Sequence, residues 1–128
     1  MSGDEFFAEF EALAADLGAA PVRLAELVPP VVSKGALNVK NDWRANASGN
    51  AHAPHYPASI TYDLKADATG VEAEIGPDKN LRQGPLGNIL EFGTSKNPPR
   101  LEGARALAAE EPRFIEACEV VAEKALLG

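Results

Sequence analysis

The amino-acid sequence predicts an α+β fold, with a long kinked N-terminal helix, an antiparallel β-hairpin or small sheet, and C-terminal helices packed on it. Three observations predict this class. Apolar residues recur at helical spacing through residues 4–47 and again through residues 100–127, whereas residues 59–76 alternate apolar and polar side chains with the period of a strand. A length of 128 residues is typical of a single domain, so residues 1–128 are predicted to form one unit.

The N-terminal helical region, residues 4–47, is predicted in two parts. The first helix runs from Asp4 to Gly18, and its apolar stripe consists of Phe6, Phe10, Leu13 and Leu17. The second begins at Pro21, which is tolerated in a first turn, and ends near Ala47. Pro29 and Pro30 interrupt it. Because proline removes a backbone donor and clashes with the preceding turn, a kink or a break is expected there.

Residues 48–58 are predicted to form a loop, since Gly, Ser, Asn and two prolines cluster in it. The loop contains His52 and His55 at H-x-x-H spacing, which sometimes binds metal. Pro54 prevents the pair from sharing a helical face, and no cysteine or second histidine pair supports a metal site. The favoured interpretation is two solvent-exposed loop histidines.

The hairpin of residues 59–76 is predicted from two alternating runs around Gly70. Its inward-facing residues are Ile60, Tyr62, Leu64, Val71, Ala73 and Ile75. A lone hairpin is marginally stable in water. The hairpin is therefore expected to pack on the helices, to gain a third strand from residues 86–92, or to pair with another subunit.

A turn-rich connector, residues 77–99, leads to the C-terminal helices. Pro112 is a favourable first residue of a helix, so two helices are predicted, with the second beginning there. Its stripe contains Phe114, Cys118, Val121 and Ala125. Cys118 is the sole cysteine, which excludes an intrachain disulfide, and its apolar surroundings favour a buried inert thiol.

Composition and charge restrict the function classes. The net charge is −7, and no cluster of Lys and Arg suggests non-specific nucleic-acid wrapping. No apolar run is long enough to span a bilayer. Many of the apolar residues are small alanines, which bury little surface. The core is therefore expected to be thin and to be completed by a partner.

No motif predicts catalysis or a cofactor. The stretch around Gly87 and Gly93 resembles a phosphate-binding loop, but the glycine spacing is wrong and Lys96 comes too late for a Walker motif. Serine, histidine and aspartate occur without a nucleophile elbow. The neighbouring Glu110 and Glu111 diverge on a helix. The sequence therefore predicts no enzyme activity, no metal and no cofactor.

The stretch NILEFGTSKNPPR, residues 88–100, is interpreted as a turn that ends one element and leads into the next. Ile89, Leu90 and Phe92 are predicted to be apolar anchors. Gly93 permits a backbone turn that a side chain would forbid. Pro98 and Pro99 are expected to stiffen an extended lead into the C-terminal helix.

This stretch, together with the order of the elements, resembles the tail-component family of long-tailed bacteriophages, also called tail-completion or neck proteins. The family signature is glutamate, an aromatic residue, glycine and threonine, followed closely by proline. It is matched here by Glu91, Phe92, Gly93, Thr94, Ser95 and Lys96, and its trailing segment by Pro98, Pro99 and Arg100. Members often carry Pro-x-x-Thr-Gly before the hairpin, whereas this chain has HYPASI, which keeps Pro57 and Ser59.

The resemblance implies a structural virion protein at the head–tail junction, present in the host cytoplasm before assembly. It would form a ring of six identical subunits and contact neighbouring neck or connector proteins and the tail tube or terminator. DNA would only pass through the lumen, and no membrane would be involved. The implied interface or signature-turn residues are Leu90, Glu91, Phe92, Gly93, Thr94, Pro98, Pro99 and Arg100.

Two alternatives stay open at the level of sequence. The first is a tail terminator, which would cap the tail tube and share the layout of a neck protein. The second is a small acidic module that binds or inhibits a basic partner, as the net charge of −7 would favour.

Overall fold

The computed structural model describes residues 20–67 and 70–127 and confirms the predicted α+β class. The predicted first helix, residues 4–18, lies outside the described residues. The elements in chain order are α1 (Ala20–Ala47), α2 (Tyr56–Ser59), β1 (Ile60–Asp67), β2 (Gly70–Pro77), a 3-10 turn (Gly84–Leu86), α3 (Gly87–Phe92) and α4 (Glu102–Leu127).

The two long helices α1 and α4 lie antiparallel. Near one end, the Arg23 guanidinium donates to the carbonyl of Ala125 at 2.9 Å. At the other end, the Asn46 amide donates to the carbonyl of Glu102 at 3.1 Å. The start of each helix therefore lies beside the end of the other. The buried apolar residues of the pair are small: Val32, Ala36, Val39, Ala47, Ala106, Cys118, Val121 and Ala125.

Prolines do not end either long helix. Pro29 and Pro30 lie inside α1, and Pro112 lies inside α4. The predicted break in α1 and the predicted second C-terminal helix beginning at Pro112 are therefore wrong. A proline costs one intrahelical hydrogen bond, but the exposed Pro30 and Pro112 leave the unpaired carbonyls of the preceding turn within reach of water. Packing of α1 on α4 on both sides of these positions stabilises each helix as one element.

The hairpin packs along α1 at its base and leaves the core towards its tip. The Arg44 guanidinium donates to the carbonyl of Ile60 at 2.8 Å, and the Lys40 ammonium lies 5.6 Å from the centre of the Tyr62 ring. Ile60 is fully buried, whereas Leu64 is 42% exposed. Of the three ways in which the hairpin was expected to gain stability, packing on a helix is the one that the structure shows.

The strands pair as predicted, with Ile60 opposite Pro77 and Asp67 opposite Gly70. Glu72 and Glu74 are exposed, while their neighbours on the other face are half-buried, as the alternation predicts. In the described part of the chain the sheet has two strands only. Each strand therefore has one edge without a strand partner.

The connector contributes a helix rather than a third strand, so that expectation for residues 86–92 is wrong. Leu86 and Leu90 are four residues apart, and both pack against the same buried cluster of Ala47, Ala53, Tyr56 and Ile60. Residues four apart lie on one side of a helical segment, so both leucines can reach the same cluster. The intervening Gly87 lies against Pro77, where an added Cβ would clash with the proline ring.

Residues 48–58 form the predicted irregular segment, except that its last residues belong to the helical turn α2. Pro57 occupies the first turn of α2, and the buried Tyr56 and Ser59 anchor that turn in the core. His52 and His55 are exposed, in agreement with the sequence interpretation.

Trp43 joins three elements. Its ring packs against the core cluster, lies 3.7 Å from the position of a Cβ on Gly76 in β2, and covers Gly103 in α4. A Cβ on Gly103 would lie 2.6 to 2.8 Å from three atoms of the indole. The absence of a side chain at Gly103 therefore allows α1 and α4 to approach closely at this point.

Two polar atoms in this region are buried. The Tyr56 hydroxyl and the Trp43 indole nitrogen make no hydrogen bond to the described residues. Burial raises the pKa of the Tyr56 hydroxyl above its ordinary value. The neighbouring Trp43 indole partly offsets this rise in pKa, and the negative charges of Glu102 and Glu91 add to it.

Replacing Tyr56 with Phe is expected to leave stability at neutral pH unchanged or to raise it by about 1 kcal/mol, because an unsatisfied buried hydroxyl is removed. The folded protein favours the neutral phenol, so the contribution of Tyr56 is complete below the ordinary pKa of about 10 and is lost as pH rises above it. Urea unfolding at neutral and alkaline pH should show a smaller alkaline loss for Tyr56→Phe. The control Tyr62→Phe should keep the wild-type alkaline loss, and equal losses in all three proteins would contradict the assignment.

Candidate functional site at the loop from Leu90 to Arg100

The segment predicted as a turn forms a closed loop between α3 and α4. At its base, the Arg100 amide donates to the Leu90 carbonyl and the Leu101 amide donates to the Glu91 carbonyl, each at 3.1 Å. Loops of this length whose ends meet are compact surface features that frequently carry function. The base bonds hold the exposed residues between them in a defined position.

Thr94 organises the tip of the loop. Its amide donates to the Asn97 carbonyl at 2.9 Å. Its hydroxyl accepts hydrogen bonds from the amides of Lys96 and Asn97, both at 3.2 Å. A hydroxyl that satisfies following backbone donors stabilises a tight turn, which explains the residue type at this position.

Glu91 caps the first turn of α4 from a distance in sequence. Its Oε1 accepts from the Gly103 amide at 2.9 Å, and its Oε2 accepts from the Ala104 amide at 3.1 Å. The residue directly before α4, Leu101, has no polar side chain and adopts a positive φ of 51°. The carboxylate of Glu91 therefore satisfies donors that a local capping residue would otherwise satisfy, and its charge suits the helix dipole.

Gly93 has the conformation that the sequence predicts. Its φ is +75°, in the region that favours glycine. An added Cβ would lie 2.6 Å from the Asn97 carbonyl oxygen and 2.6 Å from the Pro99 nitrogen. Both contacts are with backbone, which cannot rotate away as a side chain would. Gly93 is required by backbone angle and by space.

The apolar residues of α3 are divided between the core and the surface. Leu90 packs on the core cluster as predicted. Ile89 is 49% exposed and Phe92 is 68% exposed, so their assignment as buried anchors is wrong. The physical reason is that α3 presents one face to the core, and Leu90 occupies it beside Leu86 of the preceding 3-10 turn. Phe92 is therefore a large apolar side chain that the described residues leave mostly exposed.

The charges around the loop are positive at the surface. In residues 79–100 the exposed charged side chains are Lys79, Arg82, Lys96 and Arg100, and the single acid, Glu91, is buried in its capping role. Arg100 Nε lies 3.5 Å from Oε2 of the buried Glu102. The exposed charges of this segment are therefore all positive, in a chain of net charge −7. The sequence did not predict a basic segment here, because its four cations are spread over 22 residues.

No catalytic arrangement is seen in the part of the chain that the structure describes. There is no group of three His, Cys, Asp or Glu residues there that could hold a metal ion. Burial raises the pKa of the Cys118 thiol, which disfavours the nucleophilic thiolate. The described helices include none that is both long enough and apolar enough to cross a bilayer.

A groove of about 250 Å³ lies between α1 and α4. Its polar groups engage one another: the Asn38 amide donates to Oε1 of Glu110 at 3.0 Å, and Arg113 lies 3.0 Å from Oε2 of Glu110 and 2.9 Å from Asp42. These interactions bridge the two helices. They leave no convergent set of polar groups for a substrate.

Comparison with family models, with curated proteins and with solved structures finds no match to this chain.

Removal of the Glu91 carboxylate should destabilise the fold through α4. Glu91→Ala leaves one buried and one part-buried helix-end donor without their acceptor and is expected to cost about 2 kcal/mol, and Glu91→Gln about 1 kcal/mol because one acceptor oxygen survives. The control Glu111→Gln, on an exposed face of α4, should stay within about 0.5 kcal/mol of wild type. Urea denaturation followed by circular dichroism measures these differences. Equal stability of Glu91→Ala and Glu111→Gln would contradict the capping role.

Gly93→Val should impair folding, by more than about 3 kcal/mol, because both backbone angle and space forbid the side chain. Gly49 offers a matched control, since its φ is +89° but nothing lies within 4 Å of its added Cβ. Gly49→Val should therefore show only the cost of the backbone angle. Thermal denaturation of both variants separates the two contributions, and equal losses would show that the contacts within the loop are unimportant.

Proposed function

We propose that this protein is a structural virion component that forms a ring of identical subunits at the head–tail junction of a long-tailed bacteriophage. The ring joins the head connector to the tail tube, and DNA passes through its lumen. The ring has six subunits, as in the family that the sequence resembles. Its neighbours are connector proteins on one side and tail tube or terminator proteins on the other.

The observation that carries the proposal is the exposure of Phe92. Three positions of the signature have roles within the fold: Glu91 caps α4, Gly93 makes the turn and Thr94 orders the tip. Phe92 lies among them with 68% of its surface exposed. Exposed aromatic residues on rigid elements are typical anchors of protein interfaces. The signature therefore combines a loop-building set with one residue directed at a partner.

Two further features favour assembly over a solitary protein. The hairpin has an edge without a strand partner on each side in the described residues, and exposed edges favour pairing with another chain. The buried apolar residues are mostly small, so the isolated subunit has a modest core. Association of copies would add burial that one copy lacks.

The net charge of −7 supports the passage of DNA through such a ring. An acidic lumen repels the phosphate backbone and prevents DNA from adhering. A tail terminator would use the same geometry, so the position in the particle distinguishes the two roles.

The test is to locate the protein in phage particles purified from the strain that carries its gene. Mass spectrometry and cryo-electron microscopy should find it at the head–tail junction, in ring density with copies related by rotation. Density at the tail-tube end alone would assign the terminator role. Absence from the particles would overturn the proposal.

Complementation of a gene deletion tests Phe92 directly. Phe92→Ala should fold normally, because the side chain is exposed, but should lower the titre of infectious particles at least about tenfold, as expected for an interface anchor. Leu107→Ala, a change of an apolar residue that is 60% exposed on α4, is the control and should retain the titre. A wild-type titre for Phe92→Ala would contradict its role in assembly.

A further inference from the structure

The outward face of the hairpin carries more negative charge than the fold neutralises. Asp63 lies directly opposite Glu74, and Lys65 lies opposite Glu72. Like charges in direct opposition destabilise a strand pair. Lys65 forms an ion pair with Glu74 at 2.8 Å. One lysine therefore serves three carboxylates. The hydrogen bond to Glu74 and the charge of Glu74, followed by the charges of Glu72 and Asp63, raise the pKa of Lys65.

The segment of residues 79–100 has the complementary charge. Lys79, Arg82, Lys96 and Arg100 are exposed, and the acid of the segment is buried. Within the described residues, none of these cations forms an ion pair with a hairpin carboxylate of the same chain. Among the described residues, the complementarity is therefore unused within one subunit.

Both surfaces also expose apolar groups. Phe92 and Ile89 are exposed in the segment, and Leu64 is 42% exposed where the hairpin leaves α1. Leu64 alternates with Asp63 along β1, so its side chain lies on the opposite face of the hairpin from Asp63 and Glu74. The complementarity of the two surfaces is therefore carried by their charges.

We propose that the outward face and exposed end of the hairpin of one copy dock against the 79–100 segment of the next copy. Lys96 of one copy approaches Asp63 of the other. This inference rests on the proposed ring and names the surfaces that build it. The contact joins two different surfaces, so each copy uses one on either side, and repetition generates a closed ring or a filament.

The hairpin limits the strength of a single contact. Strands of eight residues are about 27 Å long, so the hairpin face provides less than the roughly 800 Å² per partner of a standard stable interface. One pair of copies is therefore weakly bound. Closure of a ring adds a contact for every copy and stabilises the assembly.

Charge reversal on the hairpin tests the contact without damaging the hairpin. Asp63→Lys replaces the unfavourable pair with Glu74 by an opposite-charge pair, so the fold should be retained. It also lowers the net negative charge, which by itself would increase association between copies. Self-association should nevertheless fall several-fold. Glu116→Lys makes the same charge change on an exposed position of α4 and should not lower it.

Charge reversal in the loop should also lower self-association. Charge reversals in the loop and on the hairpin, combined in one protein, should compensate each other. Lys96→Glu should weaken self-association several-fold, more than its control Lys124→Glu. The double variant Asp63→Lys with Lys96→Glu should regain most of the wild-type association. Sedimentation at high protein concentration and low salt measures all of these proteins. Variants that behave like their controls, or wild-type protein that shows no association, would overturn the contact.

Carbodiimide cross-linking identifies the residues that meet. In a mixture of isotopically labelled and unlabelled protein, links between Lys96 and Asp63 or Glu72 should join one labelled and one unlabelled chain. Intermolecular links confined to the acids of α4 would overturn the proposed pairing. Duplex DNA that binds wild type and Asp63→Lys, but not Lys96→Glu, would assign the segment to nucleic acid instead.

The two proposals fail in different experiments. Presence of the protein at the head–tail junction with no effect of the charge reversals would remove this contact and leave the proposed function. Compensating charge reversals in a protein absent from phage particles would leave the contact and remove the function.

Discussion

The bidentate contact of Glu91 with the start of α4 is the interaction on which the rest of the structure depends. It joins the end of α3 to the first turn of the longest element of the C-terminal half. Because Leu101 provides no side-chain acceptor, the position of α4 is coupled to the loop that Gly93 and Thr94 build. The carboxylate is buried, so its two hydrogen bonds are shielded from competing water. Glu91 of the signature is therefore a structural link between α3 and α4.

Within a few residues, this loop combines side chains that fix the backbone with one large apolar side chain that stays exposed. Glu91, Gly93 and Thr94 hold the backbone, and Phe92 is left at the surface on a support that cannot easily move. A side chain fixed in this way loses little conformational entropy when it binds, which favours affinity per unit of buried area. In the proposed contact between copies, the basic side chains of the loop and the acidic hairpin would set the orientation, because electrostatic complementarity selects orientation more than strength.

The sequence predicted the elements that are defined by periodicity and missed those defined by distant contacts. The alternation from Ile60 onward located both strands, and the helical stripes located α1 and α4. Pro112 misled because local propensity favours a helix start there, whereas packing of α4 on α1 preserves a single helix. Helix α3 was missed because six residues in a glycine-rich connector carry too little pattern. For the candidate site, Gly93 could be assigned from its residue type alone. The cap by Glu91 and the exposure of Phe92 could not, because both depend on how α3 meets α4.

Trp43 gives the molecule a natural optical reporter. It is the only tryptophan of the chain, and its indole lies where α1, β2 and α4 converge above Gly103. Its fluorescence therefore originates from one known place, with no second emitter to separate. Any event that loosens this junction, whether unfolding or adjustment on contact with a neighbour, admits solvent to the indole and shifts the emission to longer wavelength. Such changes at the junction can thus be followed in real time without attaching a dye.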